Sequence, residues 1–198
     1  TLYEHLAMHV GLGALALLCL TWLPFAMLLH PLLPRPVGQR LGRRVIAAGF
    51  RFYLGLLQRL CACRFDLSEI EGLRHERGLV IAANHPSLLD AVILVSQLPD
   101  AICVMKASLM DNPLFGAGAR MARYVRNDNL LSAVLSCRRE LQQGAQLVIF
   151  PEGTRTLGYP TNPLNPLSRS TALIATRAGV PVQTVIIEFS SPYLGKGW

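Results

Sequence analysis

Acidic residues are missing from a long stretch of this 198-residue chain: none lies between Glu4 and Asp66. Charge of either sign is scarce, 16% of residues against 52% hydrophobic, which is oily for a soluble domain. Residues 6–29 contain no Lys, Arg, Asp or Glu, and His9 is their only basic side chain. No Gly-x-x-x-x-Gly-Lys-Ser/Thr loop is present, which removes the commonest nucleotide-hydrolase reading. No Gly-x-Ser-x-Gly elbow is present either, so the usual serine nucleophile is missing. The five cysteines, Cys19, Cys61, Cys63, Cys103 and Cys137, are odd in number and scattered. They suit reduced thiols in a cytoplasmic-facing protein and not a disulfide framework. Cys61 and Cys63 have no second pair with which to hold a metal, and His5, His9, His30 and His75 have no partner at zinc-ligand spacing.

What is present begins with a basic, apolar front. The net charge is +7, and Arg35, Arg40, Arg43, Arg44, Arg51, Arg59 and Arg64 account for all of it. Arginines flanking apolar sequence read as an attraction to anionic headgroups and as a cytoplasmic-side marker. Nucleic acid is not expected as a partner, because no nucleic-acid motif accompanies them. Residues 6–29 as a helix would reach about 36 Å, enough for a bilayer core of about 30 Å. Pro24, Gly11 and Gly13 predict a bend. No Lys or Arg precedes the run, which argues against a cleaved signal peptide. Residues 39–60 read as a second helix with Arg40, Arg44, Arg51 and Gln58 on one narrow face, and Pro31, Pro34 and Pro36 separate the two. The first helix spans while the second lies on the surface, or both dip into one leaflet as a hairpin. A second helix buried as core is the plainer alternative.

From Phe65 onward short apolar runs (79–83, 101–105, 147–150, 182–189) alternate with helix-like stretches at 91–98, 130–143 and 170–178. This alternation predicts an α/β fold, a central, mostly β sheet flanked by helices, preceded by the membrane-associated two-helix segment. The expected division is an anchoring segment, 1–64, and a catalytic domain, 65–198. Sheets of this kind place active residues at the ends of strands.

Two polar islands follow such runs. In the first, Asn84-His85-Pro86-Ser87-Leu88-Leu89-Asp90, Pro86 suits a first helical turn and Asp90 lies about one turn beyond. Its carboxylate is placed to fix the tautomer of His85, leaving the other ring nitrogen free to take a proton. A structural histidine near a helix-start aspartate fits the same spacing. A base without an enzymic nucleophile implies that the substrate brings its own, for example a hydroxyl. The second island is Phe150-Pro151-Glu152-Gly153-Thr154-Arg155. Gly153 allows close backbone approach, Arg155 is suited to gripping a phosphate, and Glu152 to binding a substrate hydroxyl or orienting Arg155. Lys106 and Arg126, each after an apolar run, are candidate anion contacts; a solvated surface role suits them as well.

Four blocks in order resemble the glycerolipid acyltransferase family, of which the lysophosphatidic acid acyltransferases are the best known. They are residues 84–90; Lys106-Ala-Ser-Leu through Pro113-Leu-Phe-Gly116 to Arg126; Phe150 to Arg155; and Gly179-Val-Pro-Val182. The resemblance implies a membrane-associated acyl transfer from acyl-CoA or acyl carrier protein to a lysophosphatidic acid-like hydroxyl. His85 would act as base, helped by Asp90. Arg126, Glu152, Gly153 and Arg155, with Thr154 among them and Lys106 nearby, would bind the acceptor's polar part, and Pro181 would shape the site. It implies no metal or prosthetic group, favours the hairpin reading of the front, and makes membrane lipids and the acyl donor the expected partners. Residues 167–171 and Gln183-Thr184 depart from the family's pattern, which leaves a different lipid acceptor open, an ornithine-type lipid, another lysophospholipid or a secondary-metabolite lipid, beside a non-catalytic membrane-binding relative. Family members run further than Trp198, so the domain is expected to be incomplete at its C-terminal end.

Overall fold

The computed structural model describes residues 2–158, 161–162, 164–190 and 194–195, without the side chains of Leu2 and Glu4. Two long helices come first, α1 (Leu2–Leu32) and α2 (Arg35–Leu60), followed by the short α3 (Ser68–Glu71). Pro24 and Pro31 lie inside α1, and the chain breaks only at residues 33–34, where Pro34 caps α2 and Pro36 enters its first turn.

Five parallel strands then alternate with helices: β1 (Leu79–Ala83), α4 (Asp90–Gln97), β2 (Ala101–Met105), α5 (Ala107–Asp111), α6 (Pro113–Met121), β3 (Val125–Arg126), α7 (Leu130–Gln142), β4 (Gln146–Ile149), α8 (Ser170–Ala178) and β5 (Val182–Val185). The strand order is β3-β2-β4-β1-β5, every pair parallel. The central strands β1 and β4 are buried along their whole length, which is why they read as continuous apolar runs. β5 is an edge strand with an exposed face, and that tolerates Gln183 and Thr184. The expected strand over 182–189 ends at Val185. Local chemistry sets the helix ends. The Asn129 side chain accepts from Ser132 N–H at the start of α7, and Gly179 in the left-handed region (φ 69°) closes α8.

α7 and α8 cover one face of the sheet, around Val80, Ile102, Leu147 and Cys137. α4, backed by α2 and α1, covers the other. The second helix is thus built into the domain: Tyr53, Leu54 and Leu57 are buried with Leu89, Val92 and Ile93 of the α4 segment. The basic-front reading is corrected at Arg43, which is 3% exposed. Its guanidinium donates to Asp100 Oδ1 (2.9 Å), to Glu140 and to the Ala122 carbonyl (3.0 Å). A cation with two carboxylates inside the fold cannot serve a headgroup. Arg40, Arg44 and Arg51 do lie exposed.

Gly116 explains one motif glycine. A Cβ there would sit 1.9 Å from the Met110 carbonyl oxygen, because α5 turns directly onto α6. Gly116→Ala should therefore push the two helices apart and cost about 3 kcal/mol. Denaturant unfolding of the variant checks this; an unchanged midpoint would refute the close approach.

Candidate active site

All strands run the same way, so the segments that follow them gather at one edge of the sheet. His85 follows β1, Lys106 follows β2, Arg126 ends β3 and Phe150–Arg155 follows β4. Pro181 does not join them. It precedes β5, and its carbonyl accepts from Val80 N–H near the start of β1 (3.0 Å), so it lies at the opposite edge of the sheet from His85, which follows the end of β1.

His85 Nδ1–H donates to Asp90 Oδ2 at 2.8 Å. The ring is stacked on Phe150 with centroids 4.2 Å apart, which fixes its plane. With Nδ1 committed, Nε2 is the nitrogen left to exchange a proton with a molecule in the cavity that His85 lines. That cavity has a volume of about 800 Å³ and is also lined by Lys106, Asp128, Gly153, Thr154 and Arg155. Asp90 is completely buried. Its Oδ2 also accepts from Ser87 N–H (2.8 Å), whereas Oδ1 has no partner among the described residues. Burial pushes the Asp90 carboxyl up from its ordinary value; the His85 and Ser87 hydrogen bonds pull the other way without cancelling it.

The second island is interlocked with the first. Glu152 Oε1 accepts from His85 N–H (2.8 Å) and from the Thr156 hydroxyl (2.8 Å), and Oε2 accepts from Asn165 N–H (2.9 Å). Thr156 N–H closes the loop by donating to the His85 carbonyl (2.7 Å). Both oxygens of Glu152 are therefore engaged with the protein, holding the histidine's backbone. Gly153 takes a positive φ of 67° in the turn, with open space where a Cβ would stand, so the glycine serves conformation there. Arg155 Nη1 donates to the carbonyls of Leu194 (3.0 Å) and Gly195 (2.7 Å). Arg126 is bracketed by two carboxylates. It meets Asp111 through Nη1 (2.6 Å) and Nη2 (3.0 Å), and Nε donates to Asp128. Arg126 holds the Asp111 and Asp128 carboxyls below their ordinary value, and the two carboxylates in turn push Arg126 up.

Sequence reasoning missed Asn84, Thr156 and Asn165. Asn84 grips Ile187 beyond β5 from both sides, donating to its carbonyl (2.9 Å) and accepting from its N–H (2.6 Å). Asn165 accepts from Leu157 N–H (3.0 Å) and donates to the Arg155 carbonyl (3.2 Å). Asn84 heads the first island, which was a signal; Asn165 sits in an irregular stretch with none.

A parallel sheet with a His–Asp pair at its carboxyl edge and an anchored Pro-Glu-Gly loop beside it is matched by the family model described as Acyltransferase, over residues 64–188. The chain belongs to that acyltransferase family. It is 30% identical over 140 residues to 1-acyl-sn-glycerol-3-phosphate acyltransferase of Helicobacter pylori, covering 66% of this chain and 58% of the relative. It is 30% identical over 184 residues to lyso-ornithine lipid O-acyltransferase of Pseudomonas aeruginosa, covering 91% of this chain and 66% of the relative. The chain thus spans less than two thirds of the length of either. The crystal structure of the lysophosphatidic acid acyltransferase of Thermotoga maritima aligns with a TM-score of 0.46 at 22% identity, covering 75% of this chain and 73% of that one.

Two outcomes are expected. Glu152→Gln replaces one acceptor oxygen by a donor and loosens the His85 loop, so kcat for acyl transfer should fall about tenfold or more while KM for the acceptor stays within about twofold. A raised KM at constant kcat would instead make Glu152 a contact of the acceptor. For Asp90, the folded state holds its proton more tightly than the unfolded chain. Its contribution to stability is therefore present at acidic pH and lost as pH rises through the raised folded value. Asp90→Asn should cut activity on the order of 100-fold. The difference in unfolding free energy should shift in the variant's favour as pH rises, and a pH-independent difference would contradict the burial argument.

Proposed function

We propose that this protein transfers an acyl group from a thioester donor, acyl-CoA or acyl carrier protein, to the hydroxyl of a lysolipid of the lysophosphatidic acid-like type, at a membrane surface. The observation that carries the reading is the His85–Asp90 hydrogen bond at the wall of the 800 Å³ cavity. His85 Nε2 removes the acceptor's hydroxyl proton, and the oxygen attacks the thioester carbonyl carbon. The tetrahedral adduct expels the thiolate, which takes the proton back from the imidazolium. One ester and one thiol result. Asp90 steadies the imidazolium while it carries the proton.

Two features support lipid chemistry. An apolar cavity of about 480 Å³ lies among α1, α2 and α6, lined by Leu18, Phe25, Val45 and Leu114. It shares Phe50, Met105 and Tyr124 with the wall of the first cavity, so an alkyl chain has a place beside the base. The segment His5–Leu32 is long and apolar enough to cross a membrane. Leu6, Leu17, Phe25, Met27, Leu28 and Leu32 are exposed along it. Ala7 and Ala26 are nevertheless buried against the domain near its two ends. A helix held lengthwise in this way favours the hairpin in one leaflet over a perpendicular span. Exposed arginines on α2 then meet anionic headgroups, with the site at headgroup level and the domain on the cytoplasmic side.

The test is transfer of a labelled acyl group from its thioester to a lysolipid, with thiol release measured in parallel. His85→Ala should reduce ester formation on the order of 1,000-fold with the fold intact. Ester formation at the wild-type rate in that variant, or release of free fatty acid with no acylated lysolipid, would sink the reading.

A further inference from the structure

Exposed apolar side chains are not spread evenly over the two edges of the sheet. Leu88 follows β1, Leu109 follows β2, Leu130 and Leu131 follow β3, Leu157 and Leu167 follow β4, and each is between 44% and 69% exposed. Ile186, just after β5, is exposed as well. At the other edge the segments that lead into the strands are 72–78, 98–100, 122–124, 143–145 and 179–181. Among the described residues, none of these exposes a large apolar side chain. Single exposed leucines need no explanation. One on every segment that leaves the sheet at the same edge makes a patch, and such a patch marks a surface that is covered.

The patch surrounds the site. Leu88, Leu109 and Leu130 line the same cavity as His85, and Leu167 precedes Ser168, which lines it too. A protein seated on this surface would close the cavity to the acceptor, so the cover that fits is one that contains the acceptor. The patch is also continuous with α1. Leu89, next to Leu88, is buried with Ala7 of α1. Phe25 of α1 is 57% exposed and lines the second cavity, which shares Met105 and Tyr124 with the first. The helix that is apolar enough to cross a membrane therefore meets the strand-end leucines at two points. Lys106, Asn127 and Asp128 also line the His85 cavity, and give it a polar wall for a thioester donor arriving from water.

We propose that the leucines at the carboxyl edge of the sheet form a second membrane contact, separate from α1, which seats the mouth of the His85 cavity in the interfacial layer of the bilayer so that the acceptor enters sideways from the leaflet. A lysolipid carries its hydroxyl close to its alkyl chain, and lifting that hydroxyl through water to the base would expose the chain. Contact between the leucines and the leaflet removes this step. The inference rests on the acyl-transfer reading above and names the surface through which that site receives its acceptor.

The experiment uses the full chain in vesicles of phosphatidylcholine and phosphatidylglycerol with one labelled acyl-CoA and two acceptors. Oleoyl lysophosphatidic acid is embedded in the vesicle; hexanoyl lysophosphatidic acid is dissolved in the water around it. The triple variant Leu131→Gln, Leu157→Gln, Leu167→Gln alters three leucines that do not line the cavity. Its kcat/KM on the embedded acceptor should fall about tenfold, and on the dissolved acceptor stay within about twofold of the wild type. Both chains should sediment with the vesicles, because α1 is unchanged, so the rate difference reads the seating of the mouth and not attachment. Val182→Gln, an exposed apolar residue at the opposite edge, should keep the wild-type rate on both acceptors. No loss on the embedded acceptor, or an equal loss on both, overturns the inference while leaving acyl transfer standing. A wild type that is dimeric in detergent, with a triple variant that is monomeric, would assign the leucines to a second copy and overturn it too. Failure of the wild type to acylate either acceptor overturns the acyl-transfer reading, and the inference with it.

Discussion

The site depends on one carboxylate that ties three segments together. Glu152 accepts from His85 N–H, the Thr156 hydroxyl and Asn165 N–H, joining the loop after β1 to the loop after β4 and to a segment ten residues further on. Two adjacent parallel strands deliver their loops side by side, but parallel pairing fixes only the backbone up to Ala83 and Ile149. Beyond that point something must replace the ladder. Charge-assisted acceptance by a half-buried carboxylate is stronger than a neutral hydrogen bond, and three donors on one group make a rigid node. The ring of His85, stacked on Phe150 from the same loop, inherits that rigidity.

Asp90 shows the cost of the arrangement. It is wholly buried, accepts from two donors on one oxygen and leaves the other without a partner among the described residues. An unmet buried acceptor costs on the order of 1–3 kcal/mol. Burial raises its carboxyl affinity for protons, and that strain is relieved when His85 becomes positively charged.

Much of this was legible in the sequence, for identifiable reasons. β1, β2 and β4 announced themselves because strands buried on both faces must be continuously apolar. α8 was legible to the residue because Gly179 ends it. β3, with two residues, carries too little pattern, and β5 ends at Val185 because its edge position lets the apolar run beyond it leave the ladder. His85 and Asp90 could be paired from spacing, although the helix expected to open at Pro86 begins only at Asp90, and a bend and turn over residues 87–89 bring the two side chains together. Roles that depend on distant partners could not be read. Arg43 looked like one more basic residue of an acid-free stretch, and its acids, Asp100 and Glu140, lie far along the chain. Arg126 and Arg155 looked free because their acceptors, two aspartates and two carbonyls, are invisible to a local motif. Spacing reports which groups can meet within a turn; it is silent on which charges are already paired.

Arg43 also explains why the basic helix and the catalytic domain form one body. A buried ion pair is weak evidence for stability, because desolvation offsets most of its attraction, but removing one partner leaves a stranded charge and costs about 3–5 kcal/mol. Arg43 reaches Asp100 before β2, Glu140 on α7 and the carbonyl that ends α6, so it spans both layers of the sandwich from a helix that also carries Arg40 and Arg44 in solvent. Sliding α2 along the domain would leave the buried Glu140 without its cation. A charged lock of this kind specifies position more sharply than apolar packing, which tolerates small slips. The separation between the exposed arginines and the His85–Asp90 pair is thereby fixed.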